Sequence, residues 1–135
     1  MRVLFYIFTL LCLSSITLLA QNSNDLRASM LTASAWSVDE CYIDSMLYPK
    51  PITVVSHFYQ DGSFTRAYSD TLVPGPIWNF TDNNQLSITY ADQTYNELYN
   101  IIVLEPNILI LKNQVPDSEH KLHTIEIRYK PYIKN

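Results

Sequence analysis

The chain has 135 residues, of which 47% are hydrophobic, and carries 13 acidic against 9 basic side chains for a net charge of −4. That length supports one hydrophobic core and leaves no room for a second. The acidic balance, with no basic stripe, excludes a nucleic-acid-binding surface, and two glycines in the whole chain argue against a glycine-dependent phosphate loop.

Residues 1–20 read as a signal peptide. Arg2 precedes an almost unbroken apolar run from Val3 to Ala20, which closes on a small residue before Gln21. A retained anchor is the alternative, but the run is near the lower limit for spanning a bilayer and carries Ser14, Ser15 and Thr17. Lipoprotein cleavage before Cys12 would leave a very short apolar region behind bulky Leu11. Removal of residues 1–20 leaves Cys41 as the one cysteine, so no internal disulfide can form. Packing must therefore hold the core, with Cys41 as a small buried hydrophobe.

Residues 21–32 form a polar lead-in, with a short helical turn predicted over Leu26 to Thr32. From residue 33 to 135 the pattern is that of strands, at roughly 34–43, 52–60, 63–70, 76–81, 85–91, 94–105, 108–114 and 121–131. Turn-forming residues separate them: Pro49 and Pro51, Asp61-Gly62, Pro74-Gly75-Pro76, Asp82-Asn83-Asn84, Ala91-Asp92-Gln93 and Pro106-Asn107. The runs are rich in Tyr, Ile, Val and Thr, which suit a pleated, half-buried surface. The prediction is an all-β domain, an eight-stranded antiparallel meander that removes its edges by closing into a small barrel. A β-sandwich is the second architecture.

Alternation assigns faces. Leu86, Ile88 and Tyr90 oppose Gln85, Ser87 and Thr89, a one-sided strand. In the longest run Leu98, Ile102 and Leu104 oppose Tyr99, Ile101 and Val103, and both sets are apolar. Ile125, Ile127 and Tyr129 oppose Thr124, Glu126 and Arg128.

Val54 to Tyr68 reads as a hairpin around Asp61-Gly62, because Gly62 accepts the positive φ that a side chain resists. A two-residue turn would pair Tyr59 with Phe64 and His57 with Arg66. A type I turn with Gly62 in a bulge would pair Phe58 with Phe64, Ser56 with Arg66 and Val54 with Tyr68. The bulged register is preferred, since it joins two phenylalanines on one face.

These features occur in an order that resembles the lipocalin-like domain family of exported proteins common in the Bacteroidetes. The residues carrying the resemblance are Trp36 in the first strand, Phe58 to Gly62, Trp78, and Asn83-Asn84-Gln85-Leu86-Ser87-Ile88, with the Ala20-Gln21 junction upstream. It covers about residues 30 to 131. The family's first strand usually has Gly-x-Trp, where this chain has Ser34-Ala35-Trp36. The resemblance implies a lipocalin-like barrel that binds a small molecule. It further implies a barrel-floor pair of Trp36 with Arg128, although alternation sets Arg128 opposite Ile127 and Tyr129.

Candidate chemistry is sparse. His120 and His123 fall on opposite faces of a strand and do not converge as metal ligands would. Nothing in the sequence positions Cys41 against His57 for thiol catalysis, and Asn79-Phe80-Thr81 is a bare glycosylation sequon. The expectation is a protein that is not an enzyme and takes no cofactor or metal. Tyrosine is plentiful, and its apolar body with a polar tip suits a cavity wall. The candidate cavity lining is Tyr42, Phe58, Phe64, Arg66, Tyr68, Trp78 and Tyr90, with inward Arg66 suited to an anionic head group. The expected ligand is a small apolar or amphipathic molecule. The alternative is a filled barrel acting as a periplasmic or surface module that binds protein or glycan through Tyr95, Tyr99 and Ile101.

Overall fold

A computed structural model describes residues 23–49, 54–68, 71–73, 75–81, 84–90 and 96–133. The expected signal peptide lies outside these residues. The described residues begin in helix α1, which covers residues 23–32 and so takes in residues before the predicted turn. Strands follow: β1 (Ala35–Ile43), β2 (Met46–Tyr48), β3 (Val54–Phe58), β4 (Phe64–Tyr68), β5 (Thr71–Val73), β6 (Ile77–Thr81), β7 (Gln85–Thr89), β8 (Asn96–Glu105), β9 (Ile108–Pro116) and β10 (Leu122–Pro131).

Each pairing is antiparallel, and the sheet runs β5-β4-β3-β1-β10-β9-β8-β7-β6, with β2 off this path beside β1. β6, at one end of that path, returns to the Asp61-Gly62 hairpin near the other end. Trp78 N–H donates to the Gly62 carbonyl at 2.8 Å and Phe64 N–H to the Pro76 carbonyl at 2.9 Å, with Ser63 opposite Ile77. β5 pairs with the far half of β4, at Arg66 to Tyr68. β5 and β6 thus share one place in the ring, and eight strand positions form a barrel. One continuous sheet of this kind removes the sandwich alternative.

The hairpin takes the bulged register: Phe58 opposite Phe64, Ser56 opposite Arg66, Val54 opposite Tyr68. Gly62 has φ +86° and its N–H donates to the Tyr59 carbonyl at 3.0 Å. Asp61 Oδ1 accepts from both the N–H and the hydroxyl of Ser63, at 2.9 and 2.6 Å, which ties the turn together.

Two bulges alter the face assignment expected from alternation. In β1 the register with β10 shifts between Val38 and Glu40, so Val38 and Cys41 face inward while Asp39 and Glu40 both remain outside. In β8 the shift lies between Ile101 and Val103. Tyr99, Ile101 and Leu104 therefore join the core, while Leu98 and Ile102 are exposed. The expected face of Leu98, Ile102 and Leu104 is corrected accordingly, since one extra residue reverses everything beyond it.

The barrel has two unlike ends. At one end α1 packs across the opening: Leu31 is fully buried, and the Trp36 indole N–H donates to the Leu31 carbonyl at 2.8 Å. Arg27 lies over the Phe80 ring, 4.6 Å from its centroid. Phe58 contacts Phe64 at 4.8 Å between ring centroids and Trp78 edge-on at 5.9 Å, and Trp78 contacts Phe80 at 5.4 Å. That end is closed. The opposite end carries the β1–β2 turn, the start of β3, the end of β7 and the connection from β9 to β10.

Candidate binding site in the barrel

β4 and β7 carry apolar residues toward the lumen, but Arg66 follows Phe64 on the same face of β4. With an inward guanidinium two residues beyond a buried ring, burial demands a compensating charge. Glu97, near the start of β8, supplies it. Arg66 Nη2 meets Glu97 Oε2 at 3.0 Å and Nη1 meets Oε1 at 3.1 Å, a fork-to-fork pair. The Tyr90 hydroxyl donates to Glu97 Oε1 at 3.0 Å and the Tyr99 hydroxyl to Oε2 at 2.8 Å. Arg66 Nη1 also lies 3.3 Å from the Tyr90 oxygen, and its Cζ sits 5.2 Å from the Phe64 centroid. In the ring, β5/β6 and β7 lie between β4 and β8. The pair is therefore a strut across the lumen.

The side chains of Arg66 and Glu97 are 13% and 10% exposed, so solvent screens them little. Burial works against both charges, yet each is held charged by the other. The hydrogen bonds and charge of Glu97 raise the Arg66 pKa, and those of Arg66 depress the Glu97 carboxyl below its usual value. Burial first, then the Glu97 charge, push the Tyr99 phenol up, so it stays a neutral donor.

Other lumenal polar groups surround the strut. Ser56 is 1% exposed, between Trp36 and Arg66 in the pairing, and its hydroxyl has no hydrogen-bond partner among the described residues. Asn113 Oδ1 is likewise buried and unpartnered, on the β9 residue opposite Ile125. An open hollow of about 320 Å³ at the open end is lined by Ile43, Val115, Pro116, Asp117, His123 and Ile125. Ile43 pairs with Ile125, and Ile125 with Asn113, so Asn113 adjoins the wall of the hollow.

With this geometry in hand, the chain is similar in structure to bovine odorant-binding protein in complex with a selenium-containing odorant. The two are 12% identical, superpose with a TM-score of 0.51, and are covered over 80% of this chain and 74% of that one. The fold is lipocalin-like. At that identity the likeness concerns fold alone. No protein-family model matches the sequence, and no curated protein matches it significantly.

In this lipocalin-like barrel the sequence-derived candidates separate into three groups. Arg66 and Tyr90 come together in the lumenal network, and Phe58, Phe64 and Trp78 form the aromatic cluster of the closed end. The Trp78 indole N–H donates to the Tyr59 carbonyl at 2.9 Å. Tyr68 pairs with Val54 through its backbone, and its side chain lies outside the described residues. Tyr42 does not face the lumen: the β1 bulge turns it outward, where its hydroxyl donates to Glu40 at 2.8 Å and Arg128 covers its ring at 4.7 Å.

The expected pair of Trp36 with Arg128 is also corrected. Trp36 lies opposite Pro131, whereas Arg128 is on the outer face with Glu126 at 3.0 Å and Glu40 at 3.4 Å. Tyr99 and Ile101, expected on an interaction surface, are 5% and 6% exposed and point inward, while Tyr95 lies outside the described residues. Sequence reasoning missed Glu97, Ser56 and Asn113. A signal for Glu97 was available: it shares the parity of Tyr99 and Ile101, and a charge on a core face needs an opposite charge.

The rim of the hollow carries a clip. His123 Nδ1 meets Asp44 Oδ2 at 2.6 Å and Nε2 meets Asp117 Oδ2 at 3.0 Å, joining the β1–β2 turn to the β9–β10 connection. Asp44, and to a lesser degree Asp117, raise the His123 pKa. His123 in turn holds both carboxyls below the usual range, helped by the Thr124 N–H at Asp44 and the Lys121 N–H at Asp117. A raised histidine stabilises the fold below its unfolded value of about 6.5 and loses that contribution as pH rises through the folded value. The lowered carboxyls act oppositely, contributing above about 3.9 and failing as pH falls through their folded values. The stability difference between the wild type and His123→Gln is expected to be largest near pH 5 to 6, between these limits, and to shrink in alkali. Thermal unfolding of both proteins across pH tests this, and a pH-independent difference overturns it.

Proposed function

We propose that the barrel binds a small apolar or amphipathic molecule, admitted at the open end. The observation that carries this reading is the contrast between the ends. One is sealed by α1, Trp36 and the aromatic cluster, while the other holds a mostly apolar hollow whose wall adjoins the polar side chain of Asn113. That combination is the common form of a small-molecule site. We read the protein as exported, to the periplasm or the cell surface, on the strength of its first twenty residues, and as a Bacteroidetes-type lipocalin-like protein. No helix among the described residues is long and apolar enough to cross a membrane. The activity is binding rather than catalysis.

The test is thermal unfolding with a panel of long-chain alcohols, amides, fatty acids, bile acids, haem and glycans. A ligand specific to the folded state, at a hundred times its Kd, adds about 2.7 kcal/mol, equivalent to a shift of several degrees. Ile125→Trp, which fills the hollow, is expected to abolish that shift. No shift with any compound favours the second reading, a surface interaction module. Its supporting observation is β2, where Met46, Leu47 and Tyr48 are 72%, 63% and 49% exposed in succession at the open end.

A further inference from the structure

We infer that the ligand's polar end is uncharged: a neutral head group that donates a hydrogen bond, such as an alcohol or amide, on an apolar body. This rests on the reading of the barrel as a binding site. It also reverses the sequence-based expectation of an anionic head group at Arg66.

The charges of the Arg66–Glu97 strut already cancel. The Arg66 fork is occupied by both Glu97 oxygens, and each oxygen also accepts from a tyrosine, Tyr90 on one and Tyr99 on the other. A ligand carboxylate at Arg66 would either displace Glu97 or add a second anion beside a pair that is already neutral, and either leaves a buried carboxylate uncompensated. A ligand ammonium would strand Arg66 in the same way. Breaking a buried pair is strongly unfavourable because the remaining charge stays desolvated. An uncharged head leaves the strut intact.

Unmet hydrogen-bonding capacity points the same way, independently of charge. The Ser56 hydroxyl and Asn113 Oδ1 are buried without a partner. Unmade hydrogen bonds of this kind are costly, and apolar residues of similar size would remove the cost. Asn113 Oδ1 is an acceptor, so what it lacks is a donor. Its place opposite Ile125, which lines the hollow, puts it beyond the Asp117–His123 rim and next to the hollow's wall. The Ser56 hydroxyl, which donates or accepts, lies deeper, in the Trp36–Ser56–Arg66 row.

A matched series decides the matter: 1-decanol, decanamide, decanoate and decylammonium, titrated calorimetrically at pH 7 below their aggregation limits. The alcohol and amide are expected to bind at least tenfold more tightly than either ion. Decanoate or decylammonium binding as tightly as decanol overturns the inference while leaving the binding barrel standing. If none of the four binds, the inference falls, and the wider panel shows whether the binding reading falls with it. Glu97→Gln, which frees Arg66 of its counter-charge, is expected to invert the order in favour of decanoate. Asn113→Leu is expected to weaken decanol several-fold. Unchanged near-ultraviolet circular dichroism establishes that each variant is folded, and the wild-type series is decisive without them.

Discussion

Glu97→Ala is expected to destabilise the folded protein by about 3–5 kcal/mol, because it leaves Arg66 charged inside the barrel with nothing opposite. Arg66→Ala should cost a similar amount for the mirror-image reason. Small domains are stable by only about 5–15 kcal/mol, so either change brings the fold close to its limit. The pair itself is not a source of stability in proportion to that loss. Replacing both members by apolar residues, Arg66→Met with Glu97→Leu, is expected to be neutral or to stabilise by about 1–4 kcal/mol. Urea unfolding of the wild type, Arg66→Met, Glu97→Leu and the double variant closes a double-mutant cycle, and a large coupling energy is the expected result. Near-additive losses would mean that the two side chains do not form a strut.

Acid separates the same proteins. The folded Glu97 pKa is depressed, so its contribution to stability is present above the unfolded value of about 4.3 and lost as pH falls through the folded value. The wild type should therefore lose stability against the apolar double variant as pH is lowered through that region. A barrel core built only to be stable would not hold this arrangement. Retaining a neutralised pair, two tyrosines and, among the described residues, an unpartnered hydroxyl and an unpartnered amide oxygen in the lumen is reasonable where the interior must recognise something polar but uncharged.

Much of the architecture was legible because local chemistry dictated it. Asp61-Gly62 left one favourable register once Phe58 and Phe64 had to share a face, and the strand limits followed from Pro, Asn and Asp at the turns. Face parity failed where the chain carries an extra residue. Asp39-Glu40 and Ile102-Val103 are consecutive residues of like polarity, and such doublets are the only local trace of a bulge. Reading them as interruptions would have turned Tyr42 outward and brought Glu97 inward. The partnership of Arg66 with Glu97 has no local trace at all, being a contact between strands 31 residues apart. α1 was underestimated because Ser23, Asn24 and Asp25 look like a linker. They are exposed residues of a helix whose buried contact, Leu31, comes only at its end.

Trp36→Ala is expected to cost about 3–5 kcal/mol, the usual range for deleting a fully buried large aromatic side chain. Part of that loss reflects the cavity left at the closed end, and part the release of α1. Trp36→Phe separates the two. It keeps most of the apolar volume but removes the indole N–H, leaving the Leu31 carbonyl unpartnered, at about 1–3 kcal/mol. Hydrogen exchange of the amides in residues 23–32 gives the discriminating readout. If the indole hydrogen bond anchors the helix, Trp36→Phe accelerates exchange in α1 while the β9 and β10 amides stay protected. If α1 exchange is unchanged, Leu31 packing and the Arg27–Phe80 contact hold the helix by themselves. The closed end would then be sealed by apolar contact rather than by the hydrogen bond.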